Sequence, residues 1–419
     1  MGGHHHPCVP GGLLLSGIGR GLRALLVEGV HPDAAALLGS QGFEVESVAR
    51  AQDEAELLAR VRGVHVLGIR SKTQVTAAVL DSARDLLAVG AFCIGVNQID
   101  VPAASRHGIA VFNAPFSNTR SVVELALAEI IALTRRLTEK NRGMHAGIWD
   151  KSDRGSHEVR GRRLGIVGYG KIGSQLSVLA ENLGMSVLFY DITDTLALGN
   201  ARRCDRLQEL LEAVDVVTLH VDGRPGNSGL FGEPEFARMR EGSIFLNLSR
   251  GFVVDHDALR RHIESGHLAG AAIDVFPDEP KGRGDPFCSE LQGLPNVILT
   301  PHVGGSTEEA QKDIGRFVAG KLRDFIVDGT TTLSVNLPAL ALEKRPEAHR
   351  LVHIHSNVPG TLAKVNGILG DHGVNIEGQL LGTRGELGYV ITEIGPGCDS
   401  RALDQLRDLP ETIRLRVLS

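Results

Sequence analysis

Residues 164–191 read LGIVGYGKIGSQLSVLAENLGMSVLFYD, and no other stretch of the 419-residue chain limits its fold as strongly. An apolar run, 164–167, leads into Gly168-Tyr169-Gly170-Lys171-Ile172-Gly173. A helical pattern follows, then a second apolar run that ends on Asp191. Each part has a physical task if the ligand is a dinucleotide. Gly168 permits a tight turn, Gly170 lets backbone approach a pyrophosphate, and Gly173 lets the helix pack closely on the strand. The N–H groups of a helix starting near Lys171 would face the phosphates. Asp191 stands 23 residues after Gly168, where a carboxylate can accept both ribose hydroxyls. It would repel a 2′-phosphate, so the pattern favours NAD over NADP.

The length implies two or three domains. Hydrophobic residues at 42%, charged residues at 22% and a net charge of −6 describe a globular chain with no basic surface for nucleic acid. The most apolar long segment, 122–133, carries Glu124 and Glu129 and is too short to cross a bilayer, so it reads as a buried helix. Five cysteines (Cys8, Cys93, Cys204, Cys288, Cys398) without CxxC spacing suggest reduced thiols in a cytoplasmic protein. The start, MGGHHHPCVPGG, has no signal-peptide pattern. His4, His5 and His6 beside Cys8 read as a flexible tail rather than a metal site.

From residue 22 to about 95, short apolar runs alternate with helical stretches, the rhythm of parallel α/β structure. A long helix is expected from Thr119 to about Met144, capped by Ser117 or Asn118. Beyond Asp191 the rhythm resumes in VDVVTLHV, SIFLNLS, GAAIDVF and NVILTPH. Ligands of open α/β sheets sit at the carboxyl ends of the strands, so His220, Arg250, Asp274 and His302 should converge on one crevice. Another helix is expected over 307–328. The last seventy residues restart as βαββαβ, a ferredoxin-like domain. The expected fold class is therefore α/β, two doubly wound lobes plus this small domain. Its divisions are a tail (1–20), a substrate lobe (21–117 with 306–338), an NAD lobe (118–305), a linker (339–348) and a regulatory domain (349–419).

Three residues beyond the cofactor loop suit oxidation of a 2-hydroxy acid: Arg250 in NLSRG, Glu279 in IDVFPDEP and His302 in TPHVGG. A histidine can take the hydroxyl proton near neutral pH. A carboxylate on its other nitrogen would fix the tautomer, and an arginine could grip the substrate carboxylate. Taken singly, each could be structural. Their joint placement after successive strands is what favours function.

GYGKIG, NLSRG, HLAGAAIDVFPDEP and TPHVGGST resemble the D-isomer-specific 2-hydroxyacid dehydrogenases. With LLVEGV, GIRSKT, FCIGVNQID, VFNAPFSNTRSVVE and HIHSNVPGTLAKVNGILGDHGVNI they resemble the branch that ends in an ACT regulatory domain. The resemblance implies NAD-dependent oxidation of 3-phospho-D-glycerate to 3-phosphohydroxypyruvate, opening serine biosynthesis, with reduction of 2-oxoglutarate as a possible side activity. It implies Arg250 as substrate-binding, Glu279 as orienting and His302 as acid/base. Asp274 would bind the nicotinamide carboxamide and Asp191 the ribose. His220, Val221, Leu248, Ser249, Gly304 and Gly305 would line the cofactor. Arg70, Ser71, Lys72 and Asn97 would meet the phosphorylated substrate, although Arg70 and Lys72 also read as a solvated basic turn. Trp149 falls in the family's subunit-contact segment. His355, Asn357 and Asn375 match an effector site for L-serine, and a homotetramer is implied; a metal at His353 and His355 lacks further ligands. Asp222 stands where the family usually has proline, and Val96 where a polar residue is expected. Two other readings stay open: a dehydrogenase of the glyoxylate or hydroxypyruvate reductase type, and a non-catalytic NAD-sensing protein.

Overall fold

The computed structural model describes residues 14–15, 21–280, 284–343, 349–395 and 400–418. The chain divides into two compact units, residues 118–310 and the remainder. His4, His5, His6 and Cys8 lie outside the described residues.

Unit 118–310 is built on seven strands in the order Val297–Leu299, Leu268–Ile273, Ser243–Asn247, Val216–Leu219, Arg163–Val167, Ser186–Tyr190, Arg202–Arg203. Every pairing is parallel. The first strand in sequence, Arg163–Val167, lies between Val216–Leu219 and Ser186–Tyr190, so strand order reverses at its carboxyl end. Helix Lys171–Asn182 follows that strand directly and buries Gly173, Leu176, Ser177 and Ala180. The apolar segment near residue 122 does form a buried helix, Thr119–Thr134, which covers one face of the sheet.

That helix is shorter than the sequence suggests. Arg136 adopts φ 52°, in the left-handed region, and a separate helix Leu137–His145 begins. The apolar face ends at Leu133, and Leu137–His145 buries no residue, so no core holds the two helices collinear. Asn118 occupies the N-cap position without a side-chain hydrogen bond to the helix; its amide lies instead against Gly305.

The other unit holds two sheets. Five parallel strands run in the order Glu44–Ser47, Arg23–Leu26, Val66–Ile69, Ala88–Ala91, Ala110–Phe112, a doubly wound arrangement. Helix Glu308–Asp328 packs Ile314, Val318, Leu322 and Phe325 into its core. The second sheet has the expected βαββαβ order, with helices Thr361–Asp371 and Ser400–Arg407. Its strands run Thr412–Leu418, His349–Ser356, Leu387–Ile394, Ile376–Arg384, all antiparallel. Leu14–Leu15, in a segment read as a tail, adds a parallel strand beside Val417 and Leu418. Val352, Ile354, Tyr389 and Ile391 share one apolar core with Phe325 and Leu322, so the two sheets of this unit are packed together.

Candidate active site

The loops at the carboxyl ends of six neighbouring strands in unit 118–310 carry the site. After Arg163–Val167 the chain turns at Gly168, φ 93°, and a side chain there would overlap the carbonyl of His220. A side chain at Gly173 would overlap the carbonyl of Gly168, so that glycine is what lets helix Lys171–Asn182 sit against the strand. Gly170 has open space beside it, and the helix N-terminus has no side-chain cap, leaving room and donors for phosphate. Tyr169 is buried, stacked on Phe189 at 3.8 Å, with its hydroxyl 2.6 Å from Ser177. Ile172 is half-buried and Lys171 exposed.

Asp191, at the end of Ser186–Tyr190, accepts from the Tyr169 N–H at 2.7 Å and from the Thr193 N–H and hydroxyl at 2.8 and 2.7 Å. Burial opposes its charge, but these donors and Arg203 outweigh that and hold it below the usual carboxylate range. An ionised acid beside an open phosphate cradle fits NAD, which supplies the hydride acceptor when bound. His220 accepts or donates at 3.0 Å with Thr218, and burial drops its imidazole to about 4, so it is neutral. Val221 is half-buried beside Gly168, and Leu248 is buried below the same strand ends.

The loop after Ser243–Asn247 is organised by Asn247, a residue the sequence reading passed over. Its side-chain oxygen accepts from the Ser249 N–H at 3.0 Å and hydroxyl at 2.7 Å, and its amide donates to the Arg250 carbonyl at 3.0 Å. A fully buried asparagine at the end of an apolar strand was the available signal. Half-buried Arg250 donates to the Ser249 carbonyl at 2.6 Å. Gly251 lies flush on the backbone of Phe276 and Pro277, drawing the Arg250 loop against the Glu279 loop.

His302 Nδ1 lies 2.8 Å from Glu279 Oε2, which leaves Nε2 as the nitrogen the carboxylate does not hold. The other Glu279 oxygen accepts from the Phe276 N–H at 3.1 Å. Burial pushes Glu279 up, yet the His302 and Phe276 hydrogen bonds and the charge of Arg250 bring it below the ordinary range. The Glu279 hydrogen bond raises His302 above its ordinary value, with burial and Arg250 opposing. His302 also adopts φ 54°, a costly conformation for a residue with a Cβ. Asp274 fixes the loop on both sides of it, accepting from the Thr300 hydroxyl at 2.6 Å and from the N–H groups of Val303 and Gly304 at 2.9 and 2.8 Å. Gly304 is buried against Asp274, and half-buried Gly305 lies against Asn118. Thus the structure brings Arg250, Glu279, Asp274 and His302 together.

In the other unit, Arg70, Ser71 and Lys72 form a loop after Val66–Ile69. Buried Glu28, another residue the sequence reading did not single out, accepts from the N–H groups of Arg70, Lys72 and Thr73 at 3.1, 3.0 and 2.6 Å. Gln98 donates to the carbonyls of Arg70 at 2.7 Å and Gly95 at 3.2 Å, tying in the loop that carries half-buried Val96 and exposed Asn97. Glu28 lies in LLVEGV at φ 64°, so an acid at a strand end was its signal. Asp222 forks Arg224 at 2.7 and 2.6 Å in place of the expected proline.

The three residues expected to bind an effector, His355, Asn357 and Asn375, are not gathered in one chain. His355 is buried, its Nδ1 2.8 Å from the Ser356 carbonyl, and Asn357 donates to the Gly385 carbonyl at 3.0 Å. Asn375 precedes Ile376, which pairs with Ile394, and Ile394 pairs with His349. His349 and Ser356 are seven residues apart on one strand, roughly 23 Å. Asn375 therefore stands at the opposite end of the sheet, because the second strand is the outer one and starts where the first begins. No cluster of three His, Cys, Asp or Glu able to hold a metal occurs among the described residues.

Comparison with known proteins agrees with this geometry. The profile of the D-isomer specific 2-hydroxyacid dehydrogenase NAD binding domain matches residues 127–304, and that of the AHAS small subunit-like ACT domain matches 351–414. D-3-phosphoglycerate dehydrogenase of Dictyostelium discoideum is 47% identical over 95% of this chain and 97% of its own length. The enzyme of the same name from Escherichia coli K12 is 48% identical over the same shares. Among solved structures, a glyoxylate reductase from Paecilomyes thermophila superposes with TM-score 0.64 at 25% identity, covering 75% of this chain and 98% of that one.

Proposed function

This chain belongs to the D-3-phosphoglycerate dehydrogenase family, and from that premise we propose how its own residues oxidise 3-phospho-D-glycerate to 3-phosphohydroxypyruvate with NAD. The observation that carries the reading is the contact between Glu279 and the His302 ring beside Arg250. His302 takes the substrate hydroxyl proton on Nε2. Glu279 accepts from Nδ1–H throughout, and so stabilises the imidazolium as it forms. Arg250 holds the substrate carboxylate and polarises the developing carbonyl. Asp191 binds the adenosine ribose, the N–H groups at the start of helix Lys171–Asn182 bind the pyrophosphate, and Asp274 takes the carboxamide. The opposite charge of a phosphorylated acid suits Arg70 and Lys72, whose backbone Glu28 and Gln98 hold in place.

We infer that L-serine binds where two copies meet. Among the described residues, the outer strand Ile376–Arg384 pairs with another strand along one edge only. Antiparallel pairing of its other edge with a second copy would bring Asn375 of one chain to the end where the other chain carries His355 and Asn357. The resulting site has an imidazole and two amides for an amino acid. A second contact surface is supported by exposed Leu137, Met144, Ile148 and Trp149, and two surfaces suit a homotetramer. Unpaired thiols at Cys93, Cys204 and Cys288 support a cytoplasmic setting.

Reduction by NADH discriminates among substrates. The expected kcat/KM for 3-phosphohydroxypyruvate exceeds that for hydroxypyruvate or 2-oxoglutarate by about 100-fold, the worth of one or two charge-assisted hydrogen bonds. Equal values would return the chain to the wider 2-hydroxyacid class.

A further inference from the structure

Helix Thr119–Thr134 packs on strands Ser243–Asn247, Leu268–Ile273 and Val297–Leu299, and its buried face includes one acid, Glu129. Glu129 is 3% exposed, and neither of its carboxyl oxygens has a hydrogen-bond partner among the described residues. Its surroundings explain this. The strands and helix Lys171–Asn182 supply Ile244, Leu246, Ala272, Ile298 and Leu176 to the cluster that receives the helix. Two charged residues of the adjoining helix Leu137–His145 pair elsewhere, Glu139 with Arg136 and Lys140 with Asp150. The charge that acts on Glu129 is Asp274, which belongs to the site already described.

A carboxylate placed there would be both desolvated and repelled. Burial first, and then Asp274, push Glu129 up to about 8. It is therefore a neutral acid at neutral pH and an anion in mildly alkaline solution. The Asp274 carboxylate accepts from Thr300, Val303 and Gly304 and has no hydrogen to donate, so it offers an ionised Glu129 no compensating partner.

We propose that Glu129 is a proton-controlled second charge behind Asp274, which makes the preference of the nicotinamide site for oxidised over reduced cofactor depend on pH. The nicotinamide ring is cationic in NAD+ and neutral in NADH. An added negative charge behind Asp274 therefore strengthens NAD+ binding relative to NADH. Reciprocally, bound NAD+ favours the ionised acid. Glu129 is a positioning charge that touches neither substrate nor cofactor, and its effect rests on the reading that Asp274 meets the carboxamide.

The test is calorimetric titration of NAD+ and of NADH into the full-length protein between pH 6.5 and 9.5, for wild type and Glu129→Gln. The amide reproduces the neutral acid and cannot ionise. In wild type the ratio of the NADH to the NAD+ dissociation constant should rise roughly three- to tenfold across this range, the order expected of two charges interacting through a partly screened protein interior. In Glu129→Gln the rise should shrink to the part contributed by His302, which loses its positive charge in the same range, and in the double variant Glu129→Gln/His302→Ala the ratio should stay flat. A parallel rise in both proteins, or a flat ratio in wild type, overturns the proposal.

Thermal unfolding gives a second readout that needs no cofactor. A carboxyl held neutral in the fold but free to ionise when unfolded loses stability as pH rises from its ordinary value of 4.5 to about 8. Glu129→Gln should therefore gain in Tm over wild type across that window, with a constant gain above it. A gain independent of pH contradicts the neutral acid. If the glutamine protein does not fold, Glu129→Met is read in the same way. Unchanged binding of both cofactor forms in Asp274→Asn would remove the carboxamide assignment, and the proposal with it.

Discussion

At the scale of single residues, the chemistry depends on which protonation state each group is given. Glu279 raises the His302 value, so neutral His302, the form that can take a proton, is scarcer at low pH than for a free imidazole. Oxidation of the hydroxy acid should fall as pH drops through that raised value, and reduction of the oxo acid should be favoured there. Removing the carboxylate charge by Glu279→Gln should move the acid limb of kcat/KM for oxidation to lower pH and reduce the plateau about 10- to 100-fold. A pH–rate profile measured in both directions checks this. An acid limb that stays in place would mean that Glu279 does not set the histidine. His302 also contributes to stability with a definite sign. Its raised value favours the fold at low pH, and that contribution fades as pH rises past it. At about half exposure the effect is screened and small.

Secondary-structure elements show most clearly what a sequence can and cannot disclose. The glycines of GYGKIG, the strand before them and the acid after them were legible because each is a steric or electrostatic requirement with fixed spacing. Gly173→Ala should test that logic. A Cβ there meets the Gly168 carbonyl, so the helix must move off the strand, and NADH affinity measured by fluorescence should fall at least tenfold. Unchanged affinity would show that the helix had room to spare. Arg250, Glu279 and His302 were legible for a similar reason, since each follows a strand that points to the same end of the sheet. The break at Arg136 was not, because the helical propensity of 137–145 continues while the apolar face stops. Glu28, Gln98 and Asn247 were also missed. They act by accepting hydrogen bonds from loop backbone or donating to it, and the one signal present, a polar residue at or just past the end of an apolar strand in Glu28 and Asn247, does not say which backbone groups it will hold.

On the scale of the molecule, the regulatory sheet is joined to the lobe that carries Arg70 and Lys72 through side chains that reach backbone carbonyls. Arg350, fully buried and paired with Glu393, donates to Asp328 and Leu342; Tyr389 donates to Gly329, Arg414 to Leu86 and Arg416 to Phe325. A displacement of this sheet is thereby passed to the end of helix Glu308–Asp328 and to residue 86 without crossing a free linker. For His355, Asn357 and Asn375, by contrast, the sequence suggested a set but not its arrangement, because strand order decides which ends meet. If two copies share each site, His355→Ala and Asn375→Ala proteins should each lose serine inhibition. Mixed after dissociation and reassembly, they should regain part of it, since one of the two junctions in a mixed pair then carries both native residues. No recovery on mixing would place the whole site within a single chain.

In the mechanism proposed above, His302, held by Glu279, is the proton acceptor of an NAD-dependent 3-phospho-D-glycerate dehydrogenase. The most direct test of this role follows NADH absorbance with full-length protein, 3-phospho-D-glycerate and NAD at mildly alkaline pH, comparing wild type with His302→Ala. Wild type should turn over, while His302→Ala should lose about 10²- to 10⁴-fold in kcat, the span of general-base catalysis, with NADH affinity nearly unchanged. Turnover that survives in His302→Ala would contradict the account.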